Sequence, residues 1–138
     1  MNEFSKPIPV ADADSATYWE GCREGRLLIQ RCSECETLRF PPNRICAACH
    51  SDKVKWVEAS GKGRVYSWIV VNHPVPREVY GDDVPYAVAL IELEEGVRMV
   101  SNVIGCDPHA IAADMSVEVV FESGGEGVVL PKFQPMAG

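Results

Sequence analysis

The sequence predicts a mainly β chain in which a short N-terminal helix leads into a small metal-stapled ribbon and then a five-stranded barrel. Three observations predict it. Two Cys-x-x-Cys pairs, Cys32/Cys35 and Cys46/Cys49, stand ten residues apart in RCSECETLRFPPNRICAACH. From Gly61 onward, five short runs of β-branched and aromatic residues alternate with Gly, Pro, Asp or Asn. Ahead of the cysteines, DADSATYWEGCREGRL carries Tyr18, Trp19 and Cys22 at helical spacing. The corresponding segments are 1–26, 27–59 and 60–138.

Bulk properties fit that division. A chain of 138 residues, 46% of them hydrophobic, can build one ordinary core plus a small module that needs another source of stability. The stretch MNEFSKPIPVADADS lacks the basic and apolar regions of an export signal, and no run approaches the ~18 apolar residues that crossing a bilayer requires. The expectation is a soluble, cytoplasmic protein with no membrane partner. Six cysteines in that setting stay reduced, which favours metal ligation over disulfides.

The helix begins at a capping residue among Asp12, Asp14 and Ser15 and stops at Gly25, with Cys22 a buried thiol on its apolar side. LLIQRC is the strand that enters the first knuckle. Each Cys-x-x-Cys turn sets two thiolates on one side, and two such knuckles supply a sulfur tetrahedron about 2.3 Å from a metal. Cys32, Cys35, Cys46 and Cys49 fill all four positions, so the metal holds structure and has no open place for chemistry. The arrangement is that of a rubredoxin-like zinc ribbon. Zn2+ is the expected ion, with iron the alternative for the same sulfurs. Pro41 and Pro42 exclude helix from the linker and stiffen it. Such knuckles often carry glycine after the second cysteine, and here Glu36 and His50 stand there. His50 reads as a solvent-facing turn residue and not as a ligand.

The strands after the ribbon are GRVYSWIVVNH, PYAVALIEL, RMVSNVIG, SVEVVFES and GVVLPKF. One interruption, CDPHAIAADM, falls between the third and fourth, as in an OB-type barrel. Closure removes the strand edges that an open meander would leave exposed.

In this order, YWEGCREGRLLIQRC, RFPPNRICAACHS, WVEASGKGRVYSW, PYAVALIELEEGVRM and LPKFQP resemble the zinc-ribbon plus OB-fold family associated with acyl-CoA metabolism, long catalogued as a domain of unknown function. The likeness runs from Tyr18 to Pro135. It implies a noncatalytic accessory subunit whose partner is a thiolase-like condensing enzyme, acyltransferase or aldolase, or a hydratase of the hot-dog fold. Acyl-CoA is then bound within the complex, and the chain helps shape the CoA site and exclude water from it.

Two other functions compete. Cys106 and His109 in GCDPHA lie one helical turn apart and are the candidate pair for a free-standing thioesterase, but no oxyanion donor or orienting acid accompanies them. Asp107-Pro108 reads equally as a helix start. An OB barrel can also bind single-stranded nucleic acid, and Tyr66 and Trp68 have the alternation for a stacking platform. Charge argues against that. The net value is −7; Arg39, Arg44, Lys53, Lys55, Lys62 and Arg64 against Asp52 and Glu58 give a local +4 and leave −11 elsewhere. A polyanion needs many cations, whereas a CoA phosphate needs two or three. Arg44, Lys53, Lys62 and Arg64 are therefore the candidate CoA-phosphate contacts, unless the cluster only balances the net −2 of zinc with four thiolates. Candidate partner contacts are Tyr18 and Trp19, the proline turn of Phe40, Pro41 and Pro42, and the loop carrying His73, Arg77 and Tyr80, since aromatic and arginine anchors typically carry an interface.

Overall fold

The computed structural model describes residues 6–137. The first five residues of the 1–26 segment and residue 138 lie outside that range. Helix α1 spans Ala16–Arg23. Its start is organised by Asp12, whose carboxylate accepts from the Ser15 backbone N–H at 2.8 Å and from the Ser15 hydroxyl at 2.7 Å. Beyond the last turn Gly25 takes φ +74, the left-handed conformation that closes helices, and Arg26 N–H donates to the Gly21 carbonyl at 2.8 Å.

The ribbon is a three-stranded antiparallel sheet in the order β2-β1-β3, with β1 Leu28–Cys32, β2 Leu38–Arg39 and β3 Val54–Glu58. VKWVE, which sequence reading leaves without an element, is the strand paired to β1 along its whole length, from Leu28 opposite Glu58 to Cys32 opposite Val54. A Cβ at Gly21 would lie 2.8 Å from the Leu28 side chain, so glycine lets α1 cross β1 at close range.

The barrel is closed in the order β4-β5-β6-β8-β7, with β4 Lys62–Val71, β5 Tyr86–Leu93, β6 Arg98–Val103, β7 Ser116–Gly125 and β8 Val128–Pro135. β4 closes onto β7 through Lys62 to Arg64, and β6 meets β8 in parallel at Val103 and Phe133. These are the five strands expected from sequence. The interruption between β6 and β7 condenses to one 3-10 turn, Pro108–Ala110, started by Asp107, whose carboxylate accepts from His109 N–H at 3.0 Å. The loop between β4 and β5 contains one short helical turn, α2 Arg77–Tyr80. No helix among the described residues is long and apolar enough to cross a membrane.

Ribbon and barrel share one core. Tyr18 and Cys22 of α1, with Leu27 and Ile29, belong to the same buried cluster as Val65, Ile91, Val117 and Phe133. The junction is tied by backbone: Ala59 N–H donates to Leu27 O at 2.8 Å, and Ser60 N–H donates to the Glu95 carboxylate at 2.9 Å.

Candidate metal centre and flanking surfaces

The two knuckles are built alike. Glu36 N–H donates to Cys32 O at 2.9 Å and His50 N–H to Cys46 O at 2.8 Å; the return bonds run from Cys32 N–H to Thr37 O and from Cys46 N–H to Ser51 O, each 2.9 Å. Such a tight turn needs a left-handed residue after the second cysteine, and Glu36 and His50 adopt φ 64 and 65. All four Sγ atoms lie within 4.8 Å of one another, Cys32 and Cys46 buried, Cys35 and Cys49 exposed. The Cys32–Cys49 and Cys35–Cys46 sulfur separations are 3.5 and 3.6 Å. The edge of a tetrahedron with metal–sulfur bonds near 2.3 Å is ~3.8 Å, close to these two separations, so this donor set fits one ion.

The electrostatics favour the same state. N–H groups of Cys35 and then Glu34 hold the Cys32 thiol below its ordinary range, and those of Cys49 and then Ala48 do the same for Cys46. The Thr37 hydroxyl and N–H lower Cys35. Cys49 carries the cost of the crowding: the Ser51 N–H favours its thiolate, but the sulfurs of Cys32, Cys35 and Cys46 push it up to about 12. A divalent cation removes that conflict. Only thiolate sulfurs face the centre, with no position for substrate, so what it can do chemically is staple the ribbon.

Gln30 is a residue that sequence reading missed. It is 2% exposed, and its Oε1 accepts from Arg39 Nε and from Asn43 N–H, both at 2.8 Å. Arg39 also donates to Asn43 O at 2.8 Å. Gln30 thus clamps the proline turn onto β1. The signal for it was a lone polar residue inside the apolar LLIQRC.

Of the four proposed CoA-phosphate cations, two belong to the ribbon and two to the first barrel strand. Arg44 and Lys53 sit on the ribbon, Lys53 facing Glu34 at 3.6 Å. Lys62 and Arg64 are on β4, beside a depression of about 530 Å³ that Glu92 and Glu94 also line. Arg64 is engaged by Glu92 at 2.6 Å and Asp114 at 3.0 Å, which leaves its guanidinium largely committed within the chain.

Among the proposed partner contacts, Tyr18 is 5% exposed, so its ring serves the core and offers a partner little surface. Burial follows from its place on the inner face of α1, between Trp19 at 5.0 Å and Phe40 at 5.5 Å between ring centres. Trp19, Phe40 and Pro42 are half-buried, Pro41 is exposed, and His73 and Arg77 are exposed in the β4–β5 loop. Tyr80 leans on Tyr86 at 6.3 Å.

The stacking platform does not form. A bulge between Val65 and Ser67 inserts Tyr66 as an extra residue, so Tyr66 faces outward while Trp68, opposite buried Ala89, turns toward the core. The one-residue shift flips every later side chain on β4. No hydrogen bond joins Cys106 to His109 among the described residues, and the His109 backbone is spent on Asp107.

A four-cysteine ribbon joined to a closed five-stranded barrel by a shared core defines a class: a zinc ribbon followed by an OB fold. Residues 19–55 match the family described as ChsH2, rubredoxin-like zinc ribbon domain, and residues 56–122 the one described as ChsH2, C-terminal OB-fold domain. A DUF35 domain-containing scaffold protein of Methanothermobacter thermautotrophicus is 39% identical over 76% of this chain and 83% of its own length. The chain belongs to this ChsH2-type DUF35 family. A probable enoyl-CoA hydratase alpha subunit of Thermomonospora curvata is 42% identical over 94% of this chain, which spans 40% of that subunit's length. A solved chain described as "Ltp2-ChsH2(DUF35) aldolase" superposes with TM-score 0.84 at 41% identity, over 93% of this chain and 98% of that one.

Proposed function

We propose that the chain is a noncatalytic accessory subunit of an acyl-CoA-processing complex, with structural Zn2+ on Cys32, Cys35, Cys46 and Cys49. The observation that carries this reading is the near whole-chain superposition, at 41% identity, on a solved chain whose description names an aldolase. Two features of the molecule support it. The metal donors leave no open coordination position. Among the described residues, Cys106 and His109 make no nucleophile–base pair.

The partner is a thiolase-like enzyme in this reading, which the aldolase name favours; the hydratase alpha-subunit name of the Thermomonospora relative favours a hot-dog-fold hydratase instead. Arg44, Lys53 and Lys62 remain the candidate contacts for a CoA phosphate, with Arg64 secondary because its carboxylate partners compete. Trp19, Phe40 to Pro42 and the loop from His73 to Asp83 are the candidate docking elements. The site of action is the cytoplasm.

The test is purification of tagged chain from its native cells, followed by mass spectrometry of what accompanies it and elemental analysis of the complex. One zinc per chain and a stoichiometric enzyme of CoA-thioester chemistry are expected. Far less than one metal per chain, or tight salt-sensitive binding of single-stranded RNA in place of an enzyme, overturns the reading.

A further inference from the structure

The middle of the barrel wall formed by β4, β5 and β6 is largely apolar on the side that faces water. On β5, Ala87, Ala89, Ile91 and Leu93 are buried, so the alternate residues Val88, Leu90 and Glu92 point outward. The ladder sets Ile69 opposite Val88 and Val100 opposite Leu90. Ile69 and Val100 keep 62% and 66% of their surface exposed. The bulge turns Tyr66 to the same side, 48% exposed, with the Arg98 guanidinium 3.8 Å from its ring centre. Outward positions of a closed barrel in water are ordinarily polar, and four of the six on the successive rungs Ile69–Val88–Asn102 and Ser67–Leu90–Val100 break that pattern here, Ser67 and Asn102 being the polar members.

The borders of the wall differ in charge. At one end the rung Arg64–Glu92–Arg98, with Asp114 on the other side of Arg64, neutralises itself. At the other end β4 and β5 run into their connecting loop, where Val75 is 91% exposed; Lys6 pairs with Asp83 at 2.8 Å, and Glu78 and Asp82 then outnumber Arg77 by one. This loop is already one of the proposed docking elements, so wall and loop form one continuous surface. Exposed apolar patches of ordinary size, ~300–600 Å², supply the centre of an interface but not the ~800 Å² per partner of a standard one, so an interface centred on the wall would have to extend onto the loop.

We infer that the outer wall of β4, β5 and β6 is the seat of the catalytic partner subunit, which presents an apolar patch flanked by cations where it meets residues 77–83. A second copy of this chain fits less well: the acidic loop would meet either its own counterpart or the self-neutralised Arg64–Glu92–Arg98 rung, and neither offers a net cation. The inference rests on the accessory-subunit reading.

The test uses the full chain and the enzyme that co-purifies with it, identified by mass spectrometry, purified, and titrated calorimetrically against wild type, Ile69→Glu/Val100→Glu and Val10→Glu. Val10 is 89% exposed and lies outside the wall. The double variant should keep its metal and melting temperature and lose at least 100-fold in affinity, while Val10→Glu stays within about twofold. If the charged pair loses metal or melts early, Ile69→Thr/Val100→Thr, which keeps β-branched side chains, is measured instead and should lose at least tenfold. Glu78→Lys/Asp82→Lys should also weaken binding, more strongly at low salt. Unchanged affinity of the folded double variant overturns the wall and leaves the subunit reading standing. Absence of any enzyme bound to wild type overturns both. A wild-type dimer in light scattering that the double variant breaks, with enzyme affinity unchanged, assigns the wall to a second copy and overturns the inference.

Discussion

Replacing Glu36 and His50 with glycine should stabilise the ribbon without weakening its hold on metal. Both residues stand at φ 64 and 65, where an L side chain crowds the following carbonyl, at a cost of about 1–2 kcal/mol each. Glycine removes that cost and gives back about 0.4–1 kcal/mol through the freer unfolded chain, so each change is worth about 0.5–1 kcal/mol. Little else is lost. The backbone N–H bonds to Cys32 O and Cys46 O at 2.9 and 2.8 Å survive, both side chains are exposed, and the only ion pair involved among the described residues, Lys55 to Glu36, is a 4.0 Å surface contact. The turns belong to separate knuckles, so the effects should add to about 1–2 kcal/mol, read as a rise of several degrees in the melting temperature of the metal-loaded protein. Competition with a chelating dye should show metal affinity equal to or above that of wild type. A lower melting temperature in either variant refutes the strain reasoning. Weaker metal retention in His50→Gly alone would make His50 a ligand and refute the four-cysteine assignment.

Gly21→Val should destabilise the shared core by a few kcal/mol, since its Cβ would meet the Leu28 side chain at 2.8 Å and the Arg26 carbonyl at 2.9 Å; urea titration of the metal-loaded protein reads it, and a change below about 0.5 kcal/mol argues against close packing of α1 on β1. Hydrogen bonds from Arg64 and then Arg98 hold the Glu92 carboxyl below the usual carboxylate range. Its contribution to stability is therefore present above the ordinary carboxylate pKa and lost as pH falls through the lowered one, so Arg64→Gln should flatten the acid limb of melting temperature against pH. An unchanged limb means the pair is idle. Burial pushes the Cys22 thiol up to about 11, whereas Cys106 is only partly covered; at neutral pH an alkylating reagent should label Cys106 in the metal-loaded protein and reach Cys22 only after denaturation, as mass spectrometry of peptides will show.

Element order and the cysteine site were legible because their causes are local. Two Cys-x-x-Cys pairs with a proline turn between them fix both knuckles, and β-branched and aromatic runs bounded by Gly, Pro, Asp or Asn fix the strands; in β5 the run is almost wholly apolar, and the alternation from Ala87 to Leu93 is one of burial that only the barrel reveals. What escaped is set by tertiary partners. The bulge at Tyr66 depends on how β4 aligns with β5, so parity along GRVYSWIVV could not be read from alternation alone. Tyr18 looks like an exposed anchor until Phe40 and the barrel core close around α1. Arg64 reads as a free cation in GKGRVY, but Glu92 and Asp114, 28 and 50 positions away, claim it. VKWVE has the alternation of a strand but is short and charged, and becomes one by pairing with β1.

The most direct measurement is turnover of a CoA thioester by the isolated chain, by its purified partner enzyme and by the reconstituted pair. No turnover by the chain alone is expected, and a partner that is slow or unstable alone should regain stability and rate when this chain is added. Robust turnover by the chain alone, abolished by Cys106→Ala, would contradict the accessory role, and so would a partner whose rate and stability do not change when the chain is supplied.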